Sequence, residues 1–149
     1  MSVYSGIWPV APTPFHEDGS VDYEGMKRVI DCMVDQGSDG ICILANFSEQ
    51  FLISDEERRR LTEVSLAHMA GRLPVIVTIS HYATQIAVDR ARHAKDHGAA
   101  MVMMMPPYHG ALLKGTAAQN AAQLAHVSDG TEPEAQKETP AIPGEYGGI

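Results

Sequence analysis

The sequence predicts an α/β fold, on three observations: short apolar runs alternate with amphipathic helical stretches, the runs are continuous, and each of three helical stretches is followed by a glycine. Continuous runs suit strands covered on both faces, as in a parallel sheet whose crossover helices pack on either side. The order strand, polar turn, helix, glycine recurs through the first two-thirds of the chain, which is the pattern of a βα repeat.

The first run is Ile7 to Ala11. After it, Met26, Val29, Ile30, Met33 and Val34 fall at three- and four-residue steps, so they make one apolar stripe on a helix. Lys27, Arg28, Asp31 and Asp35 then lie on its solvated face. The second run is Gly40 to Ala45. Ser54, with Glu57 three residues on, starts the second helix, because hydroxyl and carboxylate satisfy the unpaired N–H groups of a first turn. The run Glu56 to Arg60 reads as surface. The third run, Pro74 to Ile79, leads to a helix from Thr84 to near His97, and Ala99 to Met105 is the fourth. Gly37, Gly71 and Gly98 suit left-handed helix caps.

Such an order gives a parallel sheet with right-handed crossovers, either doubly wound or closed into a barrel. Neither GxGxxG nor GxxxxGK[ST] follows a strand, so the phosphate-cradling loops of nucleotide-binding sheets are missing and a barrel, or part of one, is favoured. An eight-stranded barrel takes about 250 residues. The 149 residues here hold about four βα units, half of such a ring. Periodicity fails after Ala125, and Asp129 to Ile149 carries Pro133, Pro140, Pro143 and four glycines. The division expected is a partial barrel over 1–128 and an irregular, disordered tail over 129–149.

A net charge of −8 with scattered lysines and arginines provides no stripe for phosphates, which argues against nucleic acid and anionic membranes as partners. Cys32 and Cys42 show no CxxC or zinc spacing and read as reduced core residues. The start lacks a basic-then-apolar leader and the run around Met101 to Met105 is too short to span a bilayer, so a cytoplasmic location is expected.

Reactive groups in parallel βα folds sit on loops at the carboxyl ends of strands. Those loops are Pro12 to His16, Asn46 to Gln50, Ser80 to Tyr82 and Pro106 to Gly110. Each also has a plain reading: prolines stiffen a turn, Ser80 caps the next helix, Tyr108 packs beneath its loop. His93 and His97 lie four apart, but in a last helical turn, where a cation is favoured, and with no HExxH or carboxylate partner beside them. No metal is expected. Without a G-x-S-x-G elbow or a loop cysteine, acyl-transfer hydrolysis is unsupported.

Taken together, Trp8-Pro9-Val10-Ala11-Pro12-Thr13-Pro14-Phe15 with Asp18-Gly19-Ser20-Val21-Asp22, then Ala45-Asn46-Phe47-Ser48-Glu49-Gln50, then Pro106-Pro107-Tyr108 resemble the dihydrodipicolinate synthase and N-acetylneuraminate lyase family of class I aldolase barrels. The resemblance covers about the first 128 residues. It implies the N-terminal half of a (β/α)8 TIM barrel from a homo-oligomeric lyase that needs no cofactor. Such a lyase holds a small-molecule 2-oxo acid as an imine on lysine, the imine serving as electron sink.

In the family the loop after the second strand commonly reads Gly-Thr-Thr-Gly-Glu or Gly-Ser-Thr-Gly-Glu, and its hydroxyls and N–H groups hold the substrate carboxylate. Ala45, Asn46, Phe47, Ser48 and Glu49 stand there in this sequence. A proton relay through a threonine at the Asn46 position would be broken, which argues against dihydrodipicolinate synthesis. The form is similar to the branch that dehydrates 2-keto-3-deoxy pentonates such as L-2-keto-3-deoxyarabonate. The resemblance thus implies Asn46 and Ser48 as carboxylate contacts, Phe47 as a wall of the pocket, and Tyr108 as the catalytic tyrosine that reaches across a subunit contact.

The family carries its Schiff-base lysine on the sixth strand. Lys27, Lys95, Lys114 and Lys137 cannot match it by position, so a truncated or frame-shifted chain without that lysine is expected. The alternative is a catalytically inactive half-barrel that binds a 2-oxo acid or associates through its open sheet edges.

Overall fold

The computed structural model describes residues 4–105 and 115–131. Its elements are α1 (Tyr23–Asp35), β1 (Ile41–Ile43), a single 3-10 turn (Asn46–Ser48), α2 (Asp55–Met69), β2 (Val75–Thr78), α3 (Thr84–Asp96), β3 (Met101–Met103) and α4 (Ala117–Thr131). The three strands are parallel neighbours in chain order, with Ile43 opposite Val77 and Val77 opposite Val102.

The first apolar run lies where the repeat requires it but forms only a bridge, Val10 to Cys42, in parallel with β1. The Ala11 N–H donates to the Cys42 carbonyl at 2.8 Å and the Cys42 N–H to the Pro9 carbonyl at 2.9 Å. Pro9 has no N–H to extend that ladder, so a predicted strand is reduced to this contact.

The helices start and stop where local chemistry dictates. The Asp22 carboxylate accepts from the Gly25 N–H at 2.7 Å and opens α1, whose Met26 and Ile30 are buried while Val29, Met33 and Val34 pack against the core. At α2 the Ser54 hydroxyl accepts from the Glu57 N–H at 3.2 Å and Glu57 Oε2 accepts from the Ser54 N–H at 2.8 Å, the reciprocal pair read from the sequence. Gly37, Gly71 and Gly98 have φ of 80, 77 and 89°, the left-handed values expected after a helix. Asp31 ties α1 to α2 by accepting from His68 Nε2 and Arg72 Nη1, both at 2.8 Å. Ile30, Ile41, Ile43, Leu44, Leu61, Met69 and Ile79 are the large apolar side chains sealed in the core between helices and sheet.

Three expectations need correction. Arg58, in the stretch read as surface, is 4% exposed, because it lies one turn before the buried Leu61 and Thr62 on the inward face of α2. Cys42 is buried as expected, but Cys32 is exposed, at the edge of the α1 stripe. Helical structure also continues past Ala125, since α4 runs to Thr131. Its alanines favour helix without a strong apolar period. Gln123 and Val127 are the positions it buries. Residues 132–149 of the predicted tail lie outside the described residues. Among those described, no helix is long and apolar enough to cross a membrane.

Candidate functional site

The loop that leaves β1 carries two non-glycine residues in left-handed conformation, Leu44 with φ 60° and Glu49 with φ 57°. Each such residue costs about 1–3 kcal/mol, and that strain persists only where the surroundings over-determine it. Here the surroundings are a set of short hydrogen bonds to the loop after the first run. The Ser48 hydroxyl donates to the Ala11 carbonyl at 2.6 Å and accepts from the Ala45 N–H at 3.2 Å. The Thr13 hydroxyl donates to the Ser48 carbonyl at 2.7 Å. Thr13 and Ser48 are both buried, so the two loops are stitched from beneath.

Above that stitch, Asn46 and Phe47 open the 3-10 turn and are exposed, Phe47 at 69%. In such a turn the first N–H groups have no partner inside the helix. Among the described residues, the N–H groups of Asn46 and Phe47 have no backbone acceptor outside it either.

The Asn46 side chain is set by a donor relay that begins in the core. Arg58 donates through Nη1 to the Thr78 carbonyl at 2.7 Å and through Nη2 to Gln50 Oε1 at 3.0 Å. Guanidinium can only donate, so the Gln50 oxygen must face it and the Gln50 NH2 must point away. That NH2 donates to Asn46 Oδ1 at 2.7 Å. With Oδ1 so engaged, the NH2 is the group that the exposed Asn46 can still offer as a donor. The arrangement can therefore offer several hydrogen-bond donors, backed by a buried cation, to an anion such as a carboxylate.

Burial lowers the Arg58 pKa to about 10, with the Arg90 charge lowering it further and Asp55 opposing. The guanidinium remains charged at neutral pH, although no carboxylate makes an ion pair with it among the described residues. Its neighbour Arg90 donates to the Ser80 carbonyl and to Asp55 Oδ1, both at 2.6 Å, pinning the loop after β2 to the start of α2. Ser80 does not cap α3, whose N-cap is Ala83; its hydroxyl accepts from the Met105 N–H at 2.8 Å and so joins β2 to the end of the fourth run.

Sequence reasoning singled out Asn46, Phe47 and Ser48, and the structure gathers them on one turn, with Ser48 beneath it. Tyr108 lies outside the described residues. Thr13, Gln50 and Arg58 were not identified as site residues; the available signal was that Arg58 precedes Leu61, Thr62 and Ser65 at helical spacing.

Two imidazoles make the fold acid-sensitive. Burial, then the Arg90 charge, pushes the His81 pKa below its ordinary 6.5, and burial does the same at His93. With folded values below the unfolded one, the unfolded state takes up protons that the folded state refuses, so stability falls as pH drops below 6.5. The Asp55 carboxyl, held low first by its hydrogen bond from Arg90, adds a second loss only as pH falls below 3.8 and through its folded value. A urea midpoint lower at about pH 5.5 than at about pH 7.5 is expected. Equal midpoints would remove the argument.

The model of the dihydrodipicolinate synthetase family matches residues 3–130. The chain belongs to that family. It is 56% identical over 126 residues to L-2-keto-3-deoxyarabonate dehydratase of Azospirillum brasilense, covering 85% of this chain and 41% of that protein. It is 38% identical over 104 residues to 4-hydroxy-tetrahydrodipicolinate synthase of Polynucleobacter asymbioticus, covering 70% of this chain and 34% of that protein. Among solved structures, a putative dihydrodipicolinate synthetase from Pseudomonas aeruginosa superposes with a TM-score of 0.81 at 30% identity, covering 87% of this chain and 43% of that one. The chain thus spans about two-fifths of the length of these dihydrodipicolinate synthetase relatives, and its parallel sheet and helices are the N-terminal part of their barrel. The relatives that the chain matches are thus named for a dehydration and for dipicolinate synthesis.

Proposed function

We propose that the chain is the N-terminal part of a Schiff-base lyase for 2-oxo acids, and that the reaction is dehydration of a 2-keto-3-deoxy sugar acid such as L-2-keto-3-deoxyarabonate. The observation that carries this reading is the exposed Asn46 amide, whose Oδ1 is held by the Arg58 and Gln50 relay so that its NH2 is left to donate. An amide there can hold a carboxylate but cannot pass a proton as a hydroxyl can, which disfavours dipicolinate synthesis and suits a dehydratase. The 56% identity to a protein named for that dehydration supports the same choice.

On this reading the Asn46 NH2 and the N–H groups of Asn46 and Phe47 bind the substrate carboxylate, and Phe47 walls the pocket. Ser48, expected as a second carboxylate contact, is instead buried with its hydroxyl engaged by the Ala11 carbonyl and the Ala45 N–H, so it serves the site from below by fixing the turn. Tyr108 carries a proton at a contact between subunits of a homo-oligomer, and the imine provides the electron sink without a cofactor. The setting is cytoplasmic. The imine-forming lysine is none of the four present: Lys27 pairs with Glu24 at 2.6 Å and Lys95 donates to the Thr131 carbonyl, both on outer helices. Lys114 and Lys137 lie outside the described residues.

Incubation with pyruvate or the keto-deoxy pentonate and borohydride, read by intact mass, is expected to leave these 149 residues unmodified. Joining residues 1–128 to the remainder of the Azospirillum brasilense dehydratase is expected to restore both the trapped imine and dehydration. An adduct on the chain alone would move the nucleophile here, and a chimera that traps pyruvate without dehydrating the pentonate would sink the substrate assignment.

A second reading, an inactive half-barrel that associates through its sheet edges, draws on the exposure of Val102 on β3 and Ile7 in the first run, at 40% and 75%. Sedimentation velocity separates them: self-association of the chain alone favours this reading, and a concentration-independent monomer contradicts it.

A further inference from the structure

We propose that Glu63, His93 and His97 form a site for a zinc-type divalent cation that staples α2 to α3. Their candidate ligand atoms all lie within 4.8 Å of one another. The sequence reading found no carboxylate for the two histidines because Glu63 comes from a different helix, brought alongside only by the packing of α2 on α3.

The local chemistry suits a metal. His97 Nδ1 lies 2.8 Å from the His93 carbonyl, which can only accept, so Nδ1 carries the proton and Nε2 presents its lone pair. A ligating imidazole is commonly oriented by such a backbone acceptor on its other nitrogen. His93 is buried, and its Nε2 faces two acceptors at long range, the Arg59 carbonyl at 3.3 Å and Glu63 Oε1 at 3.4 Å, so it carries the ring proton until a cation takes that place and the proton moves to Nδ1. The two rings lie 4.2 Å apart on one face of α3. The Arg59 charge opposes a cation there, and the Glu63 carboxylate offsets it.

Two imidazoles and one carboxylate are borderline ligands that select zinc, nickel or copper over magnesium or calcium, and they leave a fourth position for water. Glu63 lies midway along α2, and His93 and His97 lie in and just after the last turn of α3, before β3 begins. That end of a βα fold serves stability more than catalysis, so the metal's role is to hold two outer helices together.

The test is a zinc titration of the full, chelator-stripped chain by calorimetry, with melting temperature recorded in parallel. One zinc per chain is expected, with a rise in melting temperature that follows zinc concentration. Glu63→Gln and His97→Ala, both outside the sealed core, should each weaken binding by at least about 10-fold and abolish the rise, because loss of a ligand costs at least as much as loss of its orienting partner. His126→Ala, on α4, should change neither. Absence of saturable micromolar uptake overturns the proposal, as does one-to-one binding that survives either ligand substitution.

Discussion

Replacing Arg58 by alanine is expected to cost the fold about 3 kcal/mol, seen as a lower urea midpoint at unchanged slope. The substitution removes a buried stem and withdraws donors from the Thr78 carbonyl and Gln50 Oε1, at 2.7 and 3.0 Å. It also removes a charge that burial disfavours, which returns part of the loss. Arg58→Met separates the contributions, because it keeps the apolar stem and deletes every donor. A variant still about 2 kcal/mol less stable would show that the hydrogen bonds matter, since two buried acceptors are left unpaired. Full stability in Arg58→Met would reduce Arg58 to packing. In the longer chimera, either variant should weaken carboxylate binding, because without a donor on its oxygen the Gln50 amide can flip and leave the Asn46 NH2 unset.

This dependence explains what could be read before the structure. The helix starts and stops were legible because they are local: Ser54 and Glu57 satisfy each other three residues apart, and Gly37, Gly71 and Gly98 take a backbone conformation that side chains disfavour. The strands were legible as apolar runs, yet the first shrank to a bridge because Pro9 lacks the N–H that would carry its ladder back toward Ile7. Asn46, Phe47 and Ser48 were found through the family motif. Arg58 was not, because a run of charges looks solvated until the partner that needs its donors is known, and Thr78 and Gln50 reach it only in three dimensions. Glu63 escaped for the same reason: its relation to His93 is a fact about two packed helices, with no sequence spacing to announce it.

The other large effect is expected at Ser48→Ala, which should cost about 1–3 kcal/mol although only one oxygen is lost. That oxygen accepts from the Ala45 N–H and donates to the Ala11 carbonyl, and Ala11, Ala45 and Ser48 are all buried. Water cannot replace it at a site 1% exposed, so a donor and an acceptor lose this partner together. The left-handed Leu44 and Glu49 on either side then lose the contact that holds the turn between them. Thr13→Val removes the neighbouring bond, from the Thr13 hydroxyl to the Ser48 carbonyl at 2.7 Å, and should cost about 1 kcal/mol. Because both bonds restrain one turn, the double variant should fall short of the sum of the singles by at least about 0.5 kcal/mol. Strict additivity in urea unfolding would mean that Thr13 and Ser48 act on separate structures, and the turn presenting Asn46 would then have to be held by something other than this stitch.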